Sequence, residues 1–181
     1  GGVLTGWFNG DFNYDGFQDV DDYGIIDFVV NIQGAPFPTA GAAELALIDA
    51  LLDGTVEAIA TDHAPHAREE KEVPFEEAPF GVTGLETAFS ALYTQLVEPG
   101  VVPFATLLER MSAGPARIYG LDVPTIQVGA EANLVLLDLD AVWHVDEGSF
   151  RSKSTNSWLL GSKLHGRVVQ TVAAGKVVYA A

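Results

Sequence analysis

An acid and two histidines stand within one short run, Thr61-Asp62-His63-Ala64-Pro65-His66. They follow Ala58-Ile59-Ala60, an apolar stretch that reads as the end of a buried strand. Strand ends are where α/β barrels place their catalytic groups. An aspartate there could ligate a metal ion and take a proton from metal-bound water, and the histidines could ligate or contact a substrate. A capping Asp with two surface histidines would use the same residues, and the run alone does not separate the two readings.

Two further stretches could do chemistry. Phe80-Gly81-Val82-Thr83-Gly84 is glycine-rich and leads into Leu85-Glu86-Thr87, the expected start of a helix. Unpaired N–H groups at a helix start could grip an anionic or carbonyl oxygen, although a plain helix-entry turn needs the same residues. Nearer the N-terminus, Asp11, Asn13, Asp15, Asp19 and Asp22 fall at positions 1, 3, 5, 9 and 12 of a loop spanning 11–22. Gly16 holds position 6, where the chain must turn sharply, and Phe17 at position 7 offers its backbone carbonyl. Calcium takes about six to eight oxygen ligands, and this alternation brings them to one point. An Asp/Gly-rich surface loop is the alternative.

These residues need elements to hold them. Leu45, Ile48, Leu51 and Leu52 recur at helical spacing, which predicts a helix over 42–53 stopped by Gly54. Residues 55–61 then read as a strand delivering Asp62 to its C-terminal end. The acidic stretch 68–79, with two prolines, should be an exposed loop placed to form the rim of a site. A helix over 85–97 would turn Leu85, Phe89, Leu92 and Leu96 to one face. Another runs over 103–111 with Pro103 at its start, and Ser112 caps a short one ending at Tyr119-Gly120. Arg117 reads as a surface or structural pair-former. From Gly129 the pattern turns β-like, at 132–139, 142–145, 168–173 and 176–179, with Ala174-Gly175 as a tight turn. His144 and His165 fall here as ordinary surface or interface histidines.

Composition bounds the partners. The 181 residues suffice for one domain with a real core. A net charge of −16 argues against nucleic acid and anionic membranes. No Lys or Arg precedes Arg68, whereas eleven Asp and Glu do, which fits two pieces of different origin or cation binding in the first part. The lack of cysteine excludes disulfides, Cys-ligated zinc and thiol nucleophiles. No apolar run approaches membrane-spanning length, and no signal peptide is visible. Gly1 in place of Met fits a processed or excised piece.

The Asp-His run, the Phe80–Thr87 block and Ser152-Lys153-Ser154-Thr155-Asn156-Ser157, in that order and spacing, resemble the C-terminal half of dihydroorotase, a zinc amidohydrolase family of pyrimidine synthesis. The resemblance covers roughly 42–181. It implies an α/β fold: a partial amidohydrolase-type TIM barrel over 42–128, its last α/β units, followed by a small C-terminal β-domain and closing segment over 129–181. It also implies a small-molecule substrate, with dihydroorotate and carbamoyl aspartate interconverted by opening or closing a cyclic amide. Carried over, Asp62 is the zinc ligand and general base, His66 contacts the substrate carboxylate, and the backbone around Phe80 and Gly81 holds the substrate ring. His63 becomes a supporting residue, and Ser152–Ser157 packs the barrel on the β-domain.

The family's His-x-His pair, carboxylated lysine and further histidines lie upstream and have no counterpart, since residues 1–62 hold no His and no Lys. The expected Asn-Pro-Pro-Leu-Arg run is missing as well. In their place, residues 1–36 resemble a single dockerin-type calcium repeat, with a short helix over 23–30 and a linker over 37–41. Three expectations follow. The chain is a dihydroorotase-type fragment, inactive alone and completed by a second chain or by homo-oligomerisation. Alternatively it is a calcium-dependent attachment module with a folded passenger, or a join of two pieces with no single function. The first implies a cytoplasmic location, the second an extracellular one.

Overall fold

The structure, a computed structural model, describes residues 42–123 and 125–181. The calcium-loop residues Asp11, Asn13, Asp15, Phe17, Asp19 and Asp22, the short helix expected after them and the linker lie outside the described residues.

Helix α1 spans Ala42–Asp53 and stops at Gly54, whose φ of +95° suits glycine. Arg110 closes its C-terminal end, donating from Nε and Nη2 to the Leu51 carbonyl at 3.2 and 3.1 Å. Of the leucines and isoleucine expected to face inward, Ile48 packs on the core, while Leu45 and Leu52 are exposed. Residues 55–61 do not form the expected strand. They run without a ladder, tied by a bond from the Ile59 amide to the Arg110 carbonyl at 2.9 Å. A strand exists only through pairing, and the described residues supply no neighbour alongside 55–61. The expected partial barrel is thus present as helices and an extended segment, without parallel strands among the described residues.

The acidic stretch carries a single turn, α2 (Arg68–Lys71), and a 3-10 turn at Phe75–Glu77. The next helix begins later than its pattern suggests: α3 spans Ala88–Leu92 and widens into a π-helical turn over Tyr93–Val97. Phe89, Leu92 and Leu96 are buried as expected, but Leu85 precedes the helix and is exposed. At the change in pitch the Thr94 hydroxyl donates to the Ser90 carbonyl at 2.6 Å and accepts from the His165 amide at 2.8 Å. Helix α4 spans Phe104–Met111 with Pro103 at its N-cap, and α5 spans Ala113–Ile118. Ser112 stands at the N-cap of α5, but its hydroxyl makes no capping bond. Arg117 pairs with Glu109, in line with a structural role.

One antiparallel sheet follows, in the order β1 (Leu134–His144), β2 (Lys163–Ala173) and β3 (Lys176–Ala180). The first two expected β segments merge into β1, because the register shift between Asp138 and Val142 absorbs the intervening residues. Asp138 holds that bulge, its Oδ1 accepting from the Asp140 and Ala141 amides, each at 3.1 Å. The β2–β3 turn is Ala174-Gly175 as expected, with φ of +48° and +75°, the backbone sign a two-residue hairpin needs. His144 is exposed, and His165 Nδ1 lies 2.6 Å from Glu98.

The main core lies between α3, α4 and the sheet. It gathers Phe89, Leu92, Leu96, Val102 and Leu107, with Leu137, Leu139 and Val168 packed on it from β1 and β2. Tyr93 stacks on Phe89 and meets Phe104 edge-on, at ring separations of 5.8 and 6.0 Å. A smaller cluster, Val145, Phe150, Leu159 and Leu164, holds the chain around 145–164 against α3. This second cluster brings the Ser152–Ser157 strap next to the glycine-rich loop.

Candidate functional site

Two loops meet at the site. The first, 61–67, leaves the extended segment with Asp62 at φ +42°, a left-handed conformation that Asp adopts more readily than most residues. Such conformations persist where surrounding contacts enforce them, and they cluster at functional positions. The second loop, 80–84, lies against the first. The Ala64 amide donates to the Val82 carbonyl at 2.9 Å, and His66 Nε2 donates to the Phe80 carbonyl at 2.8 Å. Gly81 makes this approach possible: its φ is +98°, and a Cβ there would lie 2.5 Å from the Ala64 Cβ. All four sequence-singled residues, Asp62, His66, Phe80 and Gly81, therefore sit on two loops in direct contact.

Their side chains differ in freedom. The Asp62 carboxylate is exposed and makes no hydrogen bond or ion pair among the described residues. His66 is half-buried, with Nδ1 lying 3.5 Å from the Glu70 carboxylate. Glu70 also accepts from the Ala67 amide at 2.9 Å, so α2 braces the histidine from the rim side.

The polar strap 150–157 supports the second loop. The Thr83 amide donates to the Asn156 carbonyl at 2.7 Å, and Asn156 Nδ2 donates to the Gly81 carbonyl at 3.2 Å. Thr83 is fully buried, and Ser154 and Ser157 are buried with it. The packing role expected of this run is consistent with these bonds.

His63 joins all three pieces. Its Nδ1 accepts from the Gly84 and Leu85 amides at 3.3 and 3.1 Å, and its Nε2 lies 3.1 Å from Ser152 Oγ. The Ser152 hydroxyl donates to Glu86 Oε1 at 2.5 Å, and the Arg151 and Ser152 amides donate to that same oxygen at 3.0 and 2.7 Å. Burial pushes the Glu86 carboxyl up, but the bonds from Ser152 and Arg151 outweigh it and hold the group below its ordinary range. The sequence reading left Glu86 without a role. The signal available was an acid two residues past Gly84, in the first turn after a glycine loop.

The Ser152–His63 contact is not a nucleophilic pair. A serine–histidine nucleophile needs an unprotonated ring nitrogen facing the hydroxyl and a carboxylate behind the other nitrogen. Here amides occupy Nδ1 and can only donate, so the ring proton sits on Nε2 and faces Ser152. Those two amides and that of Thr83 are already engaged, which at these three positions favours the plain helix-entry turn over a ligand grip.

A zinc centre is likewise not complete. Among the described residues no three His, Asp or Glu side chains cluster to hold a metal. His63 has both nitrogens committed, and His66 has Nε2 on Phe80 and Nδ1 turned to Glu70 at 3.5 Å, whereas the Asp62 carboxylate makes no bond among the described residues. Nor is there a helix among the described residues long and apolar enough to cross a membrane.

A sequence model of the amidohydrolase family matches residues 41–178. Dihydroorotases from Chlorobaculum tepidum and Caldanaerobacter subterraneus subsp. tengcongensis are 45% and 46% identical over 133 and 134 residues. The dihydroorotase of Shouchella clausii is 47% identical over 134. Each alignment covers 74% of this chain but only 30% or 31% of the relative, so the chain spans about a third of the length of the curated relatives it matches. Among solved structures, the L-hydantoinase (dihydropyrimidinase) of Arthrobacter aurescens superposes with a TM-score of 0.71 at 30% identity, covering 87% of this chain and 36% of that one. A dihydropyrimidinase from Brevibacillus agri gives the same TM-score at 22% identity over 89% and 37%, a likeness of fold alone.

Proposed function

The chain belongs to the amidohydrolase family, and from that premise we propose that it is the proton-transfer and ring-binding portion of a dihydroorotase-type cyclic-amide hydrolase. The observation that carries the reading is the meeting of the two loops, with the His66 ring on the Phe80 carbonyl and Gly81 against Ala64. They bring an uncommitted carboxylate and a backbone cradle to one place. Those are the two things needed to open a cyclic amide: a base for water and a fixed seat for the ring.

In this reading Asp62 takes a proton as water adds to the ring amide carbon. It returns the proton to the amide nitrogen as the C–N bond breaks, so the carboxylate ends as it began. Closure of carbamoyl aspartate runs the same steps backwards. The backbone at Phe80 and Gly81 seats the ring, and His66 donates to the substrate carboxylate by releasing its Nε2–H from the Phe80 carbonyl, which it holds at 2.8 Å without substrate. The family and the dihydroorotase relatives imply a zinc-type metal. The described residues do not fit a complete zinc site, so its remaining ligands come from outside them. The barrel portion over 42–128 and the β portion over 129–181 are the units we propose for this work. The calcium loop over 11–22 rests on spacing alone and is a separate proposal, of a cation-dependent attachment segment.

A chimera tests the reading. Residues 42–181 replace the matching C-terminal third of the Chlorobaculum tepidum dihydroorotase, and dihydroorotate hydrolysis is followed by ultraviolet absorbance with zinc supplied. The chimera should turn over dihydroorotate, and Asp62→Asn should abolish it. The isolated chain should show no Asp62-dependent turnover. A folded, zinc-loaded chimera without activity, or one indifferent to Asp62→Asn, overturns the proposal.

A further inference from the structure

We infer that His63 is the positioning residue of this site, the centre of a one-way hydrogen-bond chain that fixes the glycine-rich loop relative to Asp62. The inference deepens the proposed function and rests on it only for what the loop binds.

The chain has ends that cannot reverse. At one end stand the Gly84 and Leu85 amides, which only donate, at 3.3 and 3.1 Å from His63 Nδ1. At the other stands the ionised Glu86 carboxylate, which only accepts, 2.5 Å from Ser152 Oγ. Between them each link has one allowed direction. His63 Nε2–H donates to Ser152 Oγ, and the Ser152 hydroxyl donates to Glu86 Oε1. Moving the ring proton to Nδ1 sets it against two amide donors and leaves Nε2 and Glu86 Oε1 to compete for the one serine proton. The ring is therefore held in a single tautomer and orientation by partners on both sides, the device by which ligand histidines are commonly oriented in enzymes.

Three covalent connections turn this into positioning. His63 directly follows Asp62, so an immobile ring pins the strained backbone that aims the carboxylate. Gly84 closes the loop containing Phe80 and Gly81, so the same ring fixes that loop's C-terminal end. Ser152 and Glu86 tie both to the strap, whose Asn156 holds the Gly81 carbonyl at 3.2 Å. One imidazole thus sets the distance between the proposed base and the proposed ring seat.

The test reads tautomer and local order on the 181-residue chain itself, without activity or metal. In nitrogen-15 spectra at pH 8, His63 should show a protonated Nε2 and a bare, hydrogen-bonded Nδ1. Ser152→Ala should speed exchange of the Leu85 amide about fivefold, the effect of losing one neutral hydrogen bond, and shift the Phe80 and Gly81 amide signals. Ser152→Thr, which keeps the hydroxyl, should restore both. Amides of α4 should not respond. Glu86→Ala, which removes the terminal acceptor of the chain, serves as a second variant should Ser152→Ala fail to fold, with the same expectations for Leu85, Phe80 and Gly81. A proton on Nδ1, or an unchanged Leu85 exchange rate and unchanged loop signals in a folded variant, overturns the inference. Since no readout is catalytic, an inactive chimera would sink the proposed function and leave this result standing.

Discussion

Gly81→Ala should be among the more damaging single-methyl changes in this chain, and its cost separates into two parts. The first is backbone strain. Gly81 sits at φ +98°, where an L side chain meets its own carbonyl, for about 1–2 kcal/mol. The second is a collision. The new Cβ falls 2.5 Å from the Ala64 Cβ, more than an ångström inside ordinary carbon–carbon contact, so the loops must separate. Overpacking of this kind costs about 1–3 kcal/mol. It also stretches the Ala64–Val82 backbone bond of 2.9 Å and the His66–Phe80 bond of 2.8 Å. Urea unfolding followed by tryptophan fluorescence should show a loss of roughly 2–5 kcal/mol. Ala64→Gly removes the atom collided with and alone should cost at most about 1 kcal/mol through chain entropy. In the double variant the collision disappears while the strain stays, so it should be about 1–3 kcal/mol better than the sum of the single changes. Strict additivity, or a Gly81→Ala loss under about 0.5 kcal/mol, would mean that the two loops do not touch, and the site as described would fall with them.

Three further outcomes can be checked. Glu86 titrates lower in the folded chain than in the unfolded one, where a glutamate sits near pH ~4.3. Its contribution to stability is therefore fully present above that pH and is lost as pH falls through the lower folded value. Urea midpoints measured from neutrality downward should show this acid slope, and Glu86→Gln should flatten it. Gly114→Ala should destabilise by about 1–3 kcal/mol despite alanine's better helix propensity, because the added Cβ would lie 2.0 Å from the Glu57 carbonyl oxygen. A stabilised variant in thermal melts would contradict that close approach of α5 to the segment before Asp62. Calcium should bind the chain at millimolar or lower concentration, read by calorimetry, and Asp15→Ala should abolish the heat; an unchanged heat would remove the calcium loop from consideration.

What the sequence disclosed follows the range of the forces involved. The Ala174-Gly175 hairpin, the stop of α1 at Gly54 and the buried face Phe89, Leu92 and Leu96 are set by neighbours a few residues away, and each is readable as local pattern. The meeting of Asp62 and His66 with Phe80 and Gly81 was legible through motif order, because family motifs encode spatial contact. The His63–Ser152–Glu86 chain was not, since a serine 89 residues from its histidine leaves no periodic trace. The segment 55–61 marks the opposite limit. Its residues favour a strand, but a strand is a relation between segments, and the described residues offer it no partner.

That unladdered segment bears on how the site could work. Asp62 hangs from it, and its backbone is tied to the fold through the Ile59–Arg110 bond of 2.9 Å and the close packing of Gly114 on Glu57. A segment held at these points, with no ladder partner among the described residues, has backbone groups that an added strand could pair. Adding a complementary barrel portion should therefore do two things together: pair 55–61 and bring the missing metal ligands towards Asp62. Hydrogen exchange on the labelled chain would separate these from ordinary surface binding. With a complementary N-terminal portion of the Chlorobaculum tepidum dihydroorotase added, the amides of Glu57, Ala58 and Ala60 should become protected while those of the β2–β3 hairpin stay unchanged. Protection confined to the amides of β1, whose Leu134, Val135, Leu136 and Val142 side chains are exposed, with Glu57, Ala58 and Ala60 still exchanging freely, would show that association occurs on the wrong face and that Asp62 is not completed by this route.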